Sequence, residues 1–187
     1  SVQTTSTDFS VENGHKYTAT VAATNRAGSS DPSGQSAPVH TWDRAGSPAS
    51  ISKVSDCVGC ASSTSSYQGR VSFRSPGDNG GYPVTTFRYQ TEDGSSGTWS
   101  ASGAERNPGA TITRDLPFRS ATQGQHVTIT PITNPPGQPA TAGAPATGGN
   151  FNPYAKPFKP TMSNLSGYRE VRARFSCNGN GRPVKSL

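Results

Sequence analysis

The sequence has few hydrophobic residues, few acids and no long apolar run. Hydrophobic residues make up 29% of its 187 residues, against the near-half that is usual in globular proteins. No run of 18 apolar residues occurs, so these residues contain no membrane-spanning helix. No stretch has the i, i+3, i+4, i+7 apolar spacing of an amphipathic helix. GxSxG and HExxH are absent, and the 11 acids lie mostly in loop-like segments. We therefore expect neither enzymatic activity nor a cofactor or metal site.

Turn-forming residues and short alternating runs are abundant. The chain has 21 Gly and 16 Pro, and apolar residues alternate with polar ones in "YTATVAATN", "RVSFRS", "TFRYQT", "HVTITPIT" and "VRARFS". Alternation with period two gives a strand one buried and one solvated face. Val71 and Phe73 are predicted to share a buried face, as are Phe87 and Tyr89. The pattern predicts an all-β chain of short strands, including one over 17–25.

Two stretches of the sequence occur twice. Residues 13–33 align with 123–143, 110 residues later, and 70–86 align with 172–186, where Pro183 follows Pro83 by 100 residues. A period of about a hundred residues is the length of one β-sandwich domain. The two repeated stretches are out of phase, and the first residue is Ser1 rather than Met. We therefore expect a piece of a longer protein that contains the second half of one domain, one whole domain and the first half of another.

These repeated stretches resemble the fibronectin type III domain, in the form found in bacterial, especially actinobacterial, secreted and surface proteins. "NGHKYTATVAATNRAG" is similar to the sixth strand of that family and the turn after it, and "RVSFRSPGDNGGYPVTTFRYQ" to its second and third strands. The aromatic residue of the second strand is usually Trp in the family, but here it is Phe73, and Phe175 in the next repeat. The resemblance implies tandem antiparallel β-sandwiches. The expected divisions are a C-terminal half-domain at 1–41, a linker at 42–47, a complete domain at 48–148, a linker at 149–157 and an N-terminal half-domain at 158–187.

The stretch "DNGG" at 78–81 is predicted to be a loop between strands. Gly and Asn adopt positive φ at little cost, and Pro83 would begin the next strand, where its missing N–H matters least. A phosphate-binding loop would need a helix behind it, whereas a strand is predicted there. A second proline, Pro131, falls within a predicted central strand, so we expect a bulge or a shortened strand at 130–134.

Three cysteines are present, Cys57, Cys60 and Cys177. "CVGC" lacks the βα context of a thioredoxin-like site, and the three histidines lie in different repeats, which disfavours zinc. A local Cys57–Cys60 disulfide is the leading interpretation and fits an oxidising compartment. Reduced thiols, a metal and redox chemistry remain as alternatives, and Cys177 has no evident partner.

Positive charge is concentrated after residue 150. Arg172 and Arg174 alternate with apolar residues, so they are predicted to line the solvated face of one strand, with Arg182 and Lys185 following. Such a strip is a candidate contact for an anionic polymer such as a wall teichoic acid or nucleic acid. The simpler interpretation is a solvated face whose counter-charges lie elsewhere.

The leading functional hypothesis is a non-catalytic structural and interaction module. It would be a spacer and adhesive repeat array of an extracellular or surface-anchored bacterial protein, with neighbouring domains and surface protein or polysaccharide as partners. No specific nucleic acid partner is expected. The alternatives are an accessory segment of a secreted polysaccharide-degrading enzyme and a phage tail or fibre protein.

Overall fold

A computed structural model describes residues 6–60, 62, 66–166, 172–176 and 179–181. Within these ranges the chain contains β-strands and turns and no helix. The strands are β1 (Lys16–Tyr17), β2 (Thr24–Asn25), β3 (Gly28–Ser29), β4 (Val39–His40), β5 (Ala49–Ser55), β6 (Tyr67–Arg74), β7 (Val84–Thr91), β8 (Ser96–Ser100), β9 (Thr111–Phe118), β10 (Gln125–Thr133), β11 (Thr141–Ala142), β12 (Ala146–Phe151), β13 (Thr161–Ser166) and β14 (Arg172–Ser176). All strand pairs are antiparallel. The predicted all-β class is confirmed.

Strands β5–β12 form a central unit of two sheets in a sandwich-like arrangement. One sheet has the order β5–β6–β9. The other has the order β11–β10–β7–β8, with β12 also pairing with β10. Phe73 on β6 meets Phe87 on β7 edge to face, with 5.4 Å between ring centroids. The inner faces of the two sheets therefore enclose one apolar core.

The alternation in the sequence places the core residues as predicted. Val71 and Phe73 are buried while Arg70 and Arg74 are exposed. Phe87 and Tyr89 are buried on the facing sheet, and Trp99 on β8 stacks on Phe87 at 5.5 Å. Burial of these aromatic rings, together with the aliphatic residues of the same cluster, stabilises the central unit.

Pro131 lies inside β10, as the sequence indicates. The strand runs on to Thr133, and its register against β7 shifts between Ile132 and Thr133. The expected bulge is present and the strand is not cut short. Bulges accommodate residues that cannot complete the regular hydrogen-bond pattern.

The strand predicted over 17–25 is wrong as a continuous element. Only its ends are strands, β1 and β2, and the residues between them pair irregularly with a serine-rich segment. The backbone N–H groups of Ser30, Ser33 and Ser36 donate to the carbonyl oxygens of Ala23, Val21 and Ala19 at 2.8–2.9 Å. From one hydrogen-bonded pair to the next, the serine segment advances by three residues and the facing segment by two. Each step therefore contains one extra residue on the serine side, as in a β-bulge.

Serine hydroxyls complete this irregular pairing. The Oγ atoms of Ser36, Ser33 and Ser30 accept the backbone N–H groups of Ala19, Val21 and Ala23, each at 3.0 Å. The bulges move the facing carbonyl groups out of register, and the hydroxyls take their place as acceptors. A pattern of apolar alternation alone does not reveal this substitution.

The limits of the central unit differ in detail from the expected linkers. Strand β12 continues to Phe151, which is fully buried in the core, although 149–157 was expected to be a linker. Ala45, in the first expected linker, is also buried in the core. On either side lie residues 6–41, here called the N-terminal segment, and the two-stranded β13–β14 sheet, here called the C-terminal hairpin. Among the described residues, no helix is long and apolar enough to cross a membrane.

Candidate functional site at two matching junctions

The repeated loop at 78–81 contacts the chain that enters the central unit. The backbone N–H of Asp43 donates to the carbonyl oxygen of Gly80, and that of Gly46 donates to the carbonyl oxygen of Asp78, each at 2.9 Å. These two hydrogen bonds, with Gly14 packed against Gly81, form what we call the first junction. It joins the N-terminal segment to the central unit.

The residue types at 78–81 shape the loop for this contact. The side-chain oxygen of Asp78 accepts the N–H of Gly80 at 2.8 Å, and that of Asn79 accepts the N–H of Gly81 at 3.1 Å. These are two successive Asx-turns. They hold Gly80 and Gly81 at φ +69° and +88°, in the left-handed region that glycine adopts most readily.

Close approach is the second reason for glycine in this loop. A Cβ on Gly80 would lie 2.1 Å from the carbonyl oxygen of Asp43, and one on Gly81 would lie 2.4 Å from the backbone nitrogen of Gly14. Backbone thus packs directly on backbone, with no side chain between. Contacts of this kind define the relative orientation of two segments more closely than contacts between long side chains.

The second junction repeats this arrangement at the other end of the central unit. The backbone N–H of Ala155 donates to the carbonyl oxygen of Asn180 at 3.2 Å. Asn180 and Gly181 have φ +48° and +92°, matching Gly80 and Gly81 one hundred positions earlier. A Cβ on Gly181 would lie 2.7 Å from the carbonyl oxygen of Pro153. The same two-residue left-handed conformation therefore contacts the incoming chain in both places.

Asn180 adds side-chain contacts that Gly80 cannot make. Its side chain is buried, accepts the hydroxyl of Tyr67 and donates to the carbonyl oxygen of Lys156 at 2.9 Å. Asn tolerates positive φ better than most residues with a side chain. The second junction thus retains the backbone geometry of the first and connects it to strand β6.

The turn before β1 contacts the first junction, and the turn before β10 contacts the second. A Cβ on Gly81 would lie 3.3 Å from the carbonyl carbon of Asn13, and Gln123, 110 residues after Asn13, donates its side-chain N–H to the carbonyl oxygen of Gly181 at 3.4 Å. Both repeated stretches of the sequence therefore meet at the same place. This convergence indicates that the repeats preserve the junction as well as the strands.

Asp93 links the two sheets of the central unit at one edge. It follows β7, and its carboxylate accepts the hydroxyl of Thr91 at 2.6 Å and the backbone N–H groups of Arg119 and Ser120 at 2.6 and 3.2 Å, beyond the end of β9. Partial burial raises the pKa of Asp93, but these hydrogen bonds and one from Ser95 outweigh it, so the pKa lies below its ordinary value. We assign this carboxylate a structural role.

Two further ion pairs involve charged groups of the central unit, one at the surface and one with a buried carboxylate, Glu105. Arg70 and Asp115 make a two-pronged ion pair with bonds of 2.6 and 2.9 Å, which lowers the pKa of Asp115. Arg114 pairs with Glu105. Within the described ranges, no three His, Cys, Asp or Glu side chains cluster to hold a metal ion.

The structure describes some of the site residues proposed from the sequence. Cys57 and Cys60 are joined in a disulfide whose Cα atoms are 5.5 Å apart, between β5 and β6. Arg172 and Arg174 lie on β14, two positions apart. Cys177, Arg182 and Lys185 lie outside the described residues.

Sequence reasoning identified the loop at 78–81 but not its contact. The loop was predicted to connect two strands rather than to bind phosphate, although its recurrence before "RPV" at 178–184 was visible. That recurrence is the signal that could have indicated a shared structural role for the loop. A scan of the chain against protein-family models gives no match, and no curated protein matches it.

Proposed function

We propose that this chain is a non-catalytic spacer and adhesive module built from tandem fibronectin type III-like domains. The first 41 residues and residues from 158 onward would each be part of such a domain, flanking a complete one. The observation that supports this is the recurrence of one junction geometry on both sides of the central unit. A protein that only needed flexible tethering would gain nothing from two matched backbone contacts.

Matched junctions have a mechanical consequence. At each junction a connecting segment is held by a backbone hydrogen bond. The N–H of Asp43 donates to Gly80 at the first junction, and the N–H of Ala155 donates to Asn180 at the second. A linker that docks in this way cannot sample the wide angles of a free Gly/Ser-rich linker. Successive units would then have a defined orientation, and an array of them would act as a semi-rigid rod.

The proposed location is the bacterial cell surface or the extracellular space. A disulfide between Cys57 and Cys60 supports this because disulfides persist in oxidising compartments. A chain rich in polar residues and held together by junctions is suited to spacing a binding or catalytic domain away from a surface. Proposed partners are neighbouring domains and surface protein or polysaccharide.

Small-angle X-ray scattering of the full chain tests whether successive units keep a defined orientation. We expect an elongated particle whose pair-distance distribution is explained by a narrow range of orientations between the units. The double variant Gly80→Ala with Gly181→Ala should broaden that distribution, because each added Cβ collides with backbone or with Ala121.

A matched control uses glycines with free space around them. Gly77 and Gly103 have no atom within 4 Å of an added Cβ, so Gly77→Ala with Gly103→Ala should scatter as the native chain does. The proposal would be contradicted if the native chain already showed the broad distance distribution of flexibly linked units. It would also be contradicted if the junction variant had the same distance distribution as the native chain.

A further inference from the structure

Strand β8 forms an open edge of the larger sheet of the central unit. It pairs with β7 on one side, and no described residue pairs with its other side. The backbone N–H of Ala101, just after β8, donates to the carbonyl oxygen of Thr85 at 2.9 Å. Because alternate residues of an antiparallel strand direct their N–H and C=O groups to the same side, those of Ser96, Thr98 and Ser100 point away from β7. All three residues are exposed.

The neighbouring edge, β9 of the other sheet, contains a block that β8 lacks. Arg114 on β9 lies over the ring of Trp99 on β8 at 5.8 Å, so the two edges are on the same side of the central unit. The N–H of Ser75 donates to the carbonyl oxygen of Ala110 at 2.8 Å, and the same alternation makes Pro117 face outward. Proline has no N–H to donate to a further strand, and proline on an edge prevents edge-to-edge association.

On the opposite side of the central unit, the two sheet edges cover each other. A Cβ on Gly148 of β12 would lie 2.7 Å from the carbonyl oxygen of Ile51 on β5. Strand β5 is also irregular, because its register against β6 shifts twice and Ser50 has φ +54°. Cover and bulges both protect an edge from strand addition. Among the described strands of the central unit, β8 is therefore the regular edge without proline, charge, bulge or cover.

The open edge is complementary to a second copy of itself. Strand β8 reads Ser-Gly-Thr-Trp-Ser, and an antiparallel copy related by a two-fold axis at Thr98 sets Thr98 opposite Thr98 and Ser96 opposite Ser100. Each of these pairs would exchange two backbone hydrogen bonds. Hydroxyl side chains are favourable neighbours across such a pair.

The inner face of β8 favours the same arrangement. A Cβ on Gly97 would lie 2.8 Å from Cε1 of Tyr89, so the ring of Tyr89 covers this glycine. The two-fold axis sets Trp99 of one copy opposite Gly97 of the other, beside that copy's Tyr89. Trp99 is half-buried in the single chain, and its ring would gain aromatic cover of the kind that stabilises glycine at a strand edge.

Charge does not oppose the pairing. Arg88 is the basic residue of β7 and lies directly opposite Thr98. Adjacent strands are about 4.8 Å apart, so three strand intervals would separate the Arg88 residues of two copies by roughly 14 Å. This separation exceeds the Debye length of about 8 Å at physiological ionic strength.

We propose that two copies of this chain associate edge to edge through β8, as a symmetric antiparallel dimer with one continuous sheet across the two-fold axis. A contact of five residues per copy is smaller than the roughly 1,200 Å² of a stable interface, so the dimer is reversible and forms as concentration rises. The contact lies within the central unit, and the inference does not depend on the proposed function.

Amide exchange of the full chain at increasing concentration locates the contact. The N–H of Thr98 should exchange about fivefold more slowly at about ten times the dissociation constant, because about a fifth of the chains are then monomeric. The N–H groups of Ser96 and Ser100 should slow in parallel. Thr113 is exposed on β9 and also faces outward, and its amide should keep the same rate at every concentration.

Charge exchange at Thr98 tests the position of the two-fold axis. In sedimentation velocity, Thr98→Lys and Thr98→Glu should each remain monomeric, because like charges would then meet across the axis. An equimolar mixture of the two variants should form dimers again, since Lys then faces Glu. Thr113→Lys, a matched change on the edge that Pro117 blocks, should dimerise as the native chain does.

Three results would each overturn the proposal. The first is a native chain that is monomeric at every concentration, which would leave the β8 edge to an extended segment of a different protein. The second is association that persists in Thr98→Lys alone. The third is a mixture of Thr98→Lys and Thr98→Glu that stays monomeric.

Discussion

The backbone N–H of Asp43 donates to the carbonyl oxygen of Gly80 at 2.9 Å, and a Cβ placed on Gly80 would lie 2.1 Å from the carbonyl oxygen of Asp43. These two residues are far apart in the sequence, and their contact explains why the loop contains glycine. The equivalent bond from Ala155 to Asn180 shows that the relationship is repeated.

Replacing Gly80 by Ala should release this bond without unfolding the central unit. The substitution introduces a left-handed alanine, at a cost of about 1–2 kcal/mol, and a collision that separation of the two segments can relieve. We expect faster amide exchange at Asp43 and Gly46 and unchanged protection in β6 and β7. Hydrogen exchange followed by NMR measures both, with Gly103→Ala as the control. Unchanged exchange at Asp43 would contradict the assigned role of the junction.

Asp93 should make part of the stability depend on acid pH. The folded-state pKa of Asp93 is lower than its ordinary value of 3.8, so its stabilising contribution is present above about pH 4 and is lost as the pH falls through the folded pKa. Asp93→Asn should lower stability at pH 7 by about 1–3 kcal/mol, because an amide cannot accept all these hydrogen bonds. Below pH 4, the stability of this variant should also fall less with decreasing pH than that of the native chain.

Melting temperatures between pH 2 and pH 7 measure the effect of Asp93. Asp31 is exposed, and Asp31→Asn should follow the native curve. If Asp93→Asn and the native chain lose stability in parallel on acidification, the carboxylate does not connect the two sheets as described.

The Cys57–Cys60 bond should contribute little to stability. Its two cysteines are only three positions apart, and closing so short a loop stabilises by about 2 kcal/mol at most, compared with roughly 3 kcal/mol for a fifteen-residue loop. The double variant Cys57→Ser with Cys60→Ser should therefore still fold and melt cooperatively. Cys177→Ser serves as the control that leaves the loop intact.

Intact-mass measurement tests the bond directly. Of the three cysteines, only Cys177 should react with an alkylating reagent before reduction, and all three after it. Immediate alkylation of all three without reductant would disprove the disulfide and weaken the proposed extracellular location.

Ser33 should protect one amide by means of its side chain. The N–H of Val21 donates to Ser33 Oγ at 3.0 Å, and the site is exposed, so water can replace the hydroxyl after Ser33→Ala. We expect exchange at Val21 to accelerate about fivefold, for a bond of about 1 kcal/mol, with little change in global stability. Ser10→Ala, at another exposed serine, should leave Val21 unchanged. An unaffected Val21 amide would show that the hydroxyl does not substitute for a backbone acceptor.

Sequence alone determined the features that depend on neighbouring residues. Alternation placed Phe73 and Phe87 in the core, because in a strand each side chain points opposite to the next. Gly and Asn at 78–81 indicated positive φ, because steric limits on the backbone are local. Pro131 indicated an irregularity in β10, because proline lacks the N–H that a ladder requires.

Only the tertiary structure decided which distant segments meet. The sequence pattern of Tyr17 and Val21 matches that of a buried strand, yet Val21 is exposed because no sheet packs on it among the described residues. Phe151 joined the core although its surroundings resemble a linker, because β12 pairs with β10. Gly80 is needed as much for its contact with Asp43 as for its turn. Burial and close approach depend on the packing of residues far apart in the chain, which local periodicity does not encode.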